Sequence, residues 1–365
     1  MKKNGLSVIL FAVLVFPVFA QLAPGVGFMG WSRYVFSAVG VKGTVGEDFD
    51  ADNDVYVLAR AHTTDGFPNR GKIGFSSWGN SDHMGFNFDF GYIYGKMDVG
   101  DQAQIWAKLN DTWMFHAGKI QGNALRGKIE GGRLVAMEEE DDIFFRFYPQ
   151  TGILVDITPF DNLYIGLAVD SGGTLINYFK NVYSPDAPAS AAGAGYQAGI
   201  GYMFPDVGHL RAQYVSFLDG KPVQAAFAFT TVYNLIVEAA VRIPTDPTNT
   251  SPNHTTIAAS YNAGRFNGVL RGTVQWGDNY GLQYKAGTVL KYSINFPLFA
   301  ALEACYASDD PTTAKRDDGG LLQLAPYLGF KYGMGEFRVG LYADMKFSDD
   351  TTWSLDLPLF WEVKF

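Results

Sequence analysis

The chain closes on thirteen residues that alternate without a break. Trp353, Leu355, Leu357, Leu359, Trp361, Val363 and Phe365 fall on one face, and Ser354, Asp356, Pro358, Phe360, Glu362 and Lys364 on the other. A period of two is that of a β-strand, since successive side chains point to opposite sides of the pleat. The same alternation recurs upstream. Over 281–296 the apolar row Leu282, Tyr284, Leu290, Ile294 and Phe296 opposes Gln283, Lys285, Lys291 and Asn295. Segments 234–243, 265–276, 322–334 and 337–347 behave alike, and Phe86, Phe88, Phe90, Tyr92 and Tyr94 oppose Asn87 and Asp89. Further strands are expected near 54–62, 70–77, 84–96, 101–109 and 112–119, with one or two within 143–158 and another over 31–41.

Short turns alternate with long polar connections along the second half. Asn262-Ala263-Gly264, Asn295-Phe296-Pro297 and the turn at 332–335 separate hairpins, whereas 172–195, 244–255 and 308–320 are long. Strands of this length with connections of alternating size predict an all-β, antiparallel up-and-down barrel. A literal count reaches about nineteen strands, but single-chain bacterial barrels are usually even-numbered, so one strand is expected to be spurious, most readily the first. Chain length divided by strand and connection sets the expectation at about sixteen, within a range of roughly fourteen to eighteen.

Alternation alone does not say which face is inside, since a soluble two-sheet sandwich alternates too. Strand length, composition and the two ends of the chain tilt the choice toward lipid outside. Hydrophobic residues make up 47% of the chain, aromatics 15% and charged residues only 18%, a profile that suits lipid-facing rows and aromatic girdles at two interfaces. At the opposite parity stand Arg60, Arg146, Arg211, Arg242, Arg265, Arg271, Lys285, Lys291, Lys331 and Arg338 against Asp89, Asp156, Glu238, Glu303, Glu336, Asp344 and Asp356. A charge facing hydrocarbon at the midplane costs about 2–4 kcal/mol, so this parity is expected to face a water-filled lumen. Beyond residue 20 no stretch of eighteen apolar residues exists, which excludes helical spans.

The N-terminus predicts export. Lys2 and Lys3 precede an apolar core over 6–19, and Ala20 offers a small residue for cleavage, so 1–20 reads as a secretory signal and 21–365 as a single barrel domain. No cysteine follows the core, which rules out lipid attachment there. Acidic residues outnumber basic ones, 37 to 28, which argues against nucleic acid as a partner. Cys305, the one cysteine, cannot form an internal disulfide.

The closing strand ending on Phe365 resembles the C-terminal signature of bacterial outer-membrane β-barrels, which their assembly machinery reads. The hairpin over 103–119, with Ile105-Trp106-Ala107, a turn at Asn110-Asp111 and Ala117-Gly118-Lys119, is similar to the early hairpin of general diffusion porins. The resemblance implies an outer-membrane location, contact with outer-membrane lipid and a possible homotrimer. It also implies that the following segment, 121–142, folds into the lumen as a constriction loop. Its acidic run Glu138, Glu139, Glu140, Asp141 and Asp142 would then face wall arginines such as Arg60, Arg146 and Arg211, with Arg242 and Arg271 extending the basic wall. A solvated acidic surface loop is the alternative reading of the same segment.

Other chemistry is thin. Asp50-Ala51-Asp52-Asn53-Asp54 alternates carboxylates as a calcium loop does, but lacks the required glycine and the bidentate glutamate, so a solvated connection is expected. His62, His83, His116, His209 and His254 show no metal spacing and no nucleophile motif. No enzyme activity, cofactor or metal is expected. The function expected is passive diffusion of small hydrophilic solutes and ions. Two alternatives stand beside it: a transporter of hydrophobic molecules, suggested by the clustered Phe144, Phe145, Phe147 and Tyr148, and a structural or adhesive surface barrel acting through the loops at 172–195 and 308–320.

Overall fold

The computed structural model describes residues 26–48, 50, 55–57, 72–80, 82–93, 96–122, 129, 147–170, 195–216, 223–229, 234–247, 252–277, 281–308, 319–347 and 349–364. Among them there is no helix. Twenty strands form one sheet: β1 (Val26–Thr44), β2 (Val55–Val57), β3 (Lys72–Asn80), β4 (Met84–Ile93), β5 (Lys96–Lys108), β6 (Trp113–Gly122), β7 (Phe147–Phe160), β8 (Leu163–Asp170), β9 (Gly195–Phe204) and β10 (Gly208–Val215), followed by β11 (Val223–Phe229), β12 (Leu235–Ile243), β13 (Asn253–Ala263), β14 (Phe266–Gly277), β15 (Gly281–Asn295), β16 (Leu298–Ala307), β17 (Leu321–Tyr332), β18 (Gly335–Gly340), β19 (Tyr342–Lys346) and β20 (Thr352–Lys364).

Every pairing is antiparallel, and from β3 to β18 each strand pairs with the next in chain order. The ladder returns to its beginning. β1 pairs along one edge with β20, from Trp31 opposite Lys364 to Thr44 opposite Thr352. Along its other edge it pairs with β3 over Val26–Arg33 and with β2 over Val39–Val41. A closed ladder leaves no unpaired strand edge, which is what hydrocarbon demands of a sheet.

The strand count exceeds the expectation of about sixteen, and the reason is local. β2 and β3 lie one after the other on the same edge of β1, so the segments expected as separate strands at 54–62 and 70–77 occupy one ladder position. The strand over 31–41, expected to be spurious, is instead the long β1 that closes the ring. β18 and β19 also share neighbours, β17 on one side and β20 on the other. They are interrupted at Leu341, whose N–H bonds the Pro326 carbonyl at 2.9 Å. Proline has no N–H to return to Leu341, so the reciprocal bond is missing. Twenty strands thus fill eighteen ladder positions.

Burial alternates with the pleat. In β17 Leu321, Gln323 and Ala325 are fully buried, while Leu322, Leu324 and Leu328 are 42–53% exposed. In β9 Gln197 is buried between exposed Tyr196 and Ala198. In β16 Glu303 and Cys305 are buried while Tyr306 is exposed. Gln197, Gln323 and Glu303 therefore sit inside the ring while Leu322, Leu324, Leu328, Tyr196 and Tyr306 face outward, the reverse of a water-soluble sandwich.

Exposed aromatics gather near the strand ends. Tyr196, Trp276, Tyr284 and Tyr306 mark one end; Tyr202, Phe204, Phe266, Tyr292, Phe330 and Tyr332 mark the other. These are the two girdles expected at membrane interfaces. Because successive strands reverse direction, short and long connections fall at opposite ends. The turns at 161–162, 205–207, 264–265, 296–297 and 333–334 share one end, and the connections over 171–194, 244–252 and 308–320 the other. Gly264 (φ 59°) and Gly333 (φ 57°) supply the left-handed backbone of two of these turns.

Candidate functional site: the interior wall of the barrel

The interior parity carries its charge in sectors. On β10–β15 it presents Arg211, Arg242, Arg271, Lys285 and Lys291, and Glu238 is the one carboxylate those strands contain. Arg211 and Arg271 are 5% and 6% exposed, and Glu238 is 1% exposed. Direct cross-strand register sets Arg242 beside His254 and Thr273 beside Lys285. The side chains of Thr256 and Thr273 bond each other at 3.0 Å between them.

From β16 to β20 the sign reverses. Glu303, Glu336, Asp344 and Asp356 face inward, with Arg338 as their main counter-charge. Arg338 donates to Glu303 at 3.3 Å and to Glu336, and Tyr327 donates to Glu303 at 2.8 Å. Lys291 of β15 lies 3.6 Å above the ring of Phe299. Higher on the same wall, Gln323 and Tyr342 donate to Asp344 at 3.2 and 3.1 Å. At the seam, Ser37 of β1 donates to Asp356 of β20 at 2.5 Å.

A third sector lies on β5–β8. His116 meets Asp156 through Nε2 at 3.0 Å and Gln104 through Nδ1 at 3.2 Å, and Tyr164 donates to Asp156. His116 of β6 thus bridges Gln104 of β5 and Asp156 of β7. Among the described residues no cluster of three or more His, Cys, Asp or Glu could hold a metal ion.

Of the residues singled out in the sequence, Arg211, Arg242 and Arg271 lie on the interior parity of alternate strands, β10, β12 and β14. Arg60, Arg146 and Glu138, Glu139, Glu140, Asp141 and Asp142 lie outside the described residues, as do His62, the 51–54 carboxylates, Phe144 and Phe145. Arg265 departs from the lumen parity expected of it. It stands in the 264–265 turn, exposed, bonding the Ile294 carbonyl at 3.0 Å, because the hairpin reverses one residue before β14 begins. Tyr327 was missed, although an aromatic at the polar parity of a strand is a visible signal for a buried hydroxyl.

One residue between β6 and β7 is described, and it lies inside the ring. Ile129 is 1% exposed and packs on Ala258 and Val269, with Ile236 and Val289 alongside. Its N–H donates to Glu238 Oε2 at 3.4 Å, and its carbonyl accepts from Arg271 Nη2 at 3.2 Å.

No family model matches the chain, and no curated protein matches it. Solved structures do. The outer-membrane protein OpdK of Pseudomonas aeruginosa aligns with a TM-score of 0.54 at 11% identity, over 93% of this chain and 99% of that one. OprD of the same organism aligns with a TM-score of 0.53 at 10% identity, over 95% and 97%. OccD3, also from Pseudomonas aeruginosa, aligns with a TM-score of 0.53 at 11% identity, over 94% and 92%. At such identities the likeness is one of fold, and it spans nearly the whole of each chain. With a closed antiparallel ladder, an apolar exterior between two aromatic girdles and charges turned inward, the chain has the β-barrel fold of bacterial outer-membrane porins.

Proposed function

We propose that the chain is a water-filled channel for passive diffusion of small hydrophilic solutes and ions. The observation that carries this reading is the interior wall. Arg211, Glu238, Arg271, Glu303, Arg338, Asp344 and Asp356 all turn inward from a ring of eighteen ladder positions. Barrels of roughly sixteen to eighteen strands leave an aqueous lumen, whereas about eight are filled by side chains. The contact of Ile129 with Ala258 and Val269 supports the reading of 121–142 as a constriction segment, whose acidic run would face wall arginines such as Arg60, Arg146 and Arg211. Outward leucines and tyrosines contact outer-membrane lipid, and the 353–365 strand is the segment the assembly machinery engages. Residues 1–20 are a signal removed on export, and a homotrimer is the oligomer this fold suggests.

Planar-bilayer recording of the refolded mature chain tests the channel. Discrete conductance steps that scale with salt are expected; a folded, inserted barrel that passes no current overturns the reading. A wall this polar favours hydrophilic solutes over the hydrophobic cargo considered from the aromatic cluster, and liposome swelling with neutral sugars distinguishes the two.

A further inference from the structure

Aromatic rings on the inner wall of β16–β20 are closed over by their neighbours. Phe299, Tyr327, Tyr342 and Phe360 face inward there, and each is 1–5% exposed. Trp78 on β3 and Trp106 on β5 differ. Trp78 is the register partner of Asn87, which opposes Gln104, and Trp106 is the register partner of His116, so both stand on the inward face. Ile105, next to Trp106 in the chain, is 64% exposed on the outer face. Trp78 keeps 38% of its surface exposed, and Trp106 is also partly open. Each ring lies along the wall against a glycine of the adjacent strand. A Cβ at Gly27 of β1 would stand 2.1 Å from Trp78 Cε2, and one at Gly85 of β4 would stand 2.5 Å from Trp106 Cζ2. The indoles thus rest on backbone, and the surface the wall does not cover is turned to the lumen. Among the described residues neither indole N–H nor the Asn87 amide has a hydrogen-bond partner.

We propose that Trp78 and Trp106, with Asn87 and Gln104 between them, form a binding track for carbohydrate chains on the lumen wall near its turn end. Trp106 opposes Gly85, two residues along β4 from Asn87, the partner of Trp78. The two indoles therefore stand two strands apart, about 10 Å across the wall and about 7 Å along it. That spacing is too wide for one small ring to touch both, and it suits a chain of rings. An indole has an electron-rich face and a single N–H donor. A pyranose offers a patch of ring C–H groups to such a face, as weak C–H contacts, and hydroxyls at its rim that both donate and accept. The Asn87 and Gln104 amides likewise do both, and His116 holds Gln104 from the next strand through a 3.2 Å bond. A purely apolar molecule would leave these polar groups unmatched, at a cost. An anion would be drawn instead to Arg211, Arg242, Arg271 and Lys285 on β10–β15.

Passage of sugar along this track rests on the channel reading; binding of sugar does not, and the test has an arm for each. The refolded mature chain in planar bilayers is given maltohexaose. Polyethylene glycol of similar size serves as a probe that occludes by volume alone, and benzyl alcohol as one that is chiefly apolar. Maltohexaose is expected to reduce the current saturably, and Trp78→Ala and Trp106→Ala each to raise its half-blocking concentration about tenfold. Equal, non-saturating block by maltohexaose and polyethylene glycol overturns the track, as does a half-blocking concentration unchanged in both variants. Block by benzyl alcohol at a lower concentration than the sugar overturns the assignment to carbohydrate. In a detergent without a sugar headgroup, saturation-transfer NMR with the indole resonances irradiated is expected to mark the ring C–H protons of maltohexaose. If no current flows but this transfer is seen and is lost in the variants, the track stands and the channel reading fails. Should the alanine variants not fold, transfer in the unaltered chain decides, and its absence overturns the track.

Discussion

Arg338 and Glu303, 35 residues apart in the chain, meet at 3.3 Å on the interior face of the barrel. The guanidinium also lies 5.0 Å from the ring centre of Tyr327 and 4.6 Å from that of Phe360, and it donates to the Tyr327 hydroxyl at 3.0 Å. β16, β17, β18 and β20 are thereby tied through one side chain. Glu303 is 1% exposed, so its charge has no water to fall back on.

Removing one partner of such a pair strands the other. Arg338→Met is expected to cost about 3–5 kcal/mol, read as a lower urea midpoint for loss of the unheated, fast-migrating band on gels. Adding Glu303→Leu should recover part of the loss, since the uncompensated carboxylate goes with it.

The outward face predicts the opposite sensitivity, and a depth dependence. Leu302 lies outward at the middle of β16 and Leu298 at its turn end. Leu302→Arg is expected to lose about 2–4 kcal/mol and Leu298→Arg about 0–1, measured by urea unfolding in lipid vesicles. Equal costs at the two depths would mean that this face does not meet a bilayer.

Gly329 exists because an aromatic ring lies over it. A Cβ built there would stand 1.9 Å from the Phe299 ring, which also carries Lys291 3.6 Å above its face. Gly329→Ala is expected to push Phe299 aside at a cost of about 1–3 kcal/mol. Gly264→Ala, with nothing within 4 Å of its Cβ, should show only the smaller backbone penalty of its positive φ.

The seam between first and last strand has its own bond. Asp356 accepts from Ser37 at 2.5 Å and from Ser354 at 3.3 Å, and both Ser37 and Asp356 are buried. Asp356→Ala is expected to cost about 1–3 kcal/mol, and to slow the appearance of folded barrel in vesicles more than Leu302→Ala does.

At the turn end, Lys108 Nζ stands 2.7 Å from the Asp111 carboxylate and, by hydrogen bond and then by charge, holds its pKa below the ordinary aspartate value. A depressed pKa stabilises the folded chain above the ordinary aspartate range, and the benefit fades as pH falls through the depressed value. The site is open to water, so the effect is small. Carboxyl NMR titration should place Asp111 below typical aspartates, and Lys108→Met should return it to their range.

Strand identity and facing were legible because the pleat imposes a period of two, and lipid on one side with charge on the other keeps that period visible. Leu282, Tyr284, Leu322 and Leu328 are exposed as their parity implied, and Arg211, Arg271 and Asp344 are buried as theirs implied. Ladder position was less legible than strand existence. Nothing in the sequence reveals that Val55–Val57 and Lys72–Asn80 lie on one edge of β1, because that is a fact of partner register. Nor does alternation alone show where a strand stops, and so Arg265 was expected one residue too deep in the wall. The contact of Ile129 shows a third limit. Glu238 and Arg271 were visible as inward charges, but Ile129 is an ordinary apolar residue in the sequence, and only its place in space gives it meaning.

The meeting of β1 with β20 has a consequence for how this molecule comes into being. Ser37 and Asp356 are separated by 319 residues, so the joint between them forms only after nearly the whole polypeptide has arrived. Any shorter intermediate carries two raw margins that hydrocarbon penalises, and the entropy of bringing such distant residues together is spent before that joint returns anything. A chain lacking either β1 or β20 is therefore expected to leave both margins open rather than to form a narrower cylinder.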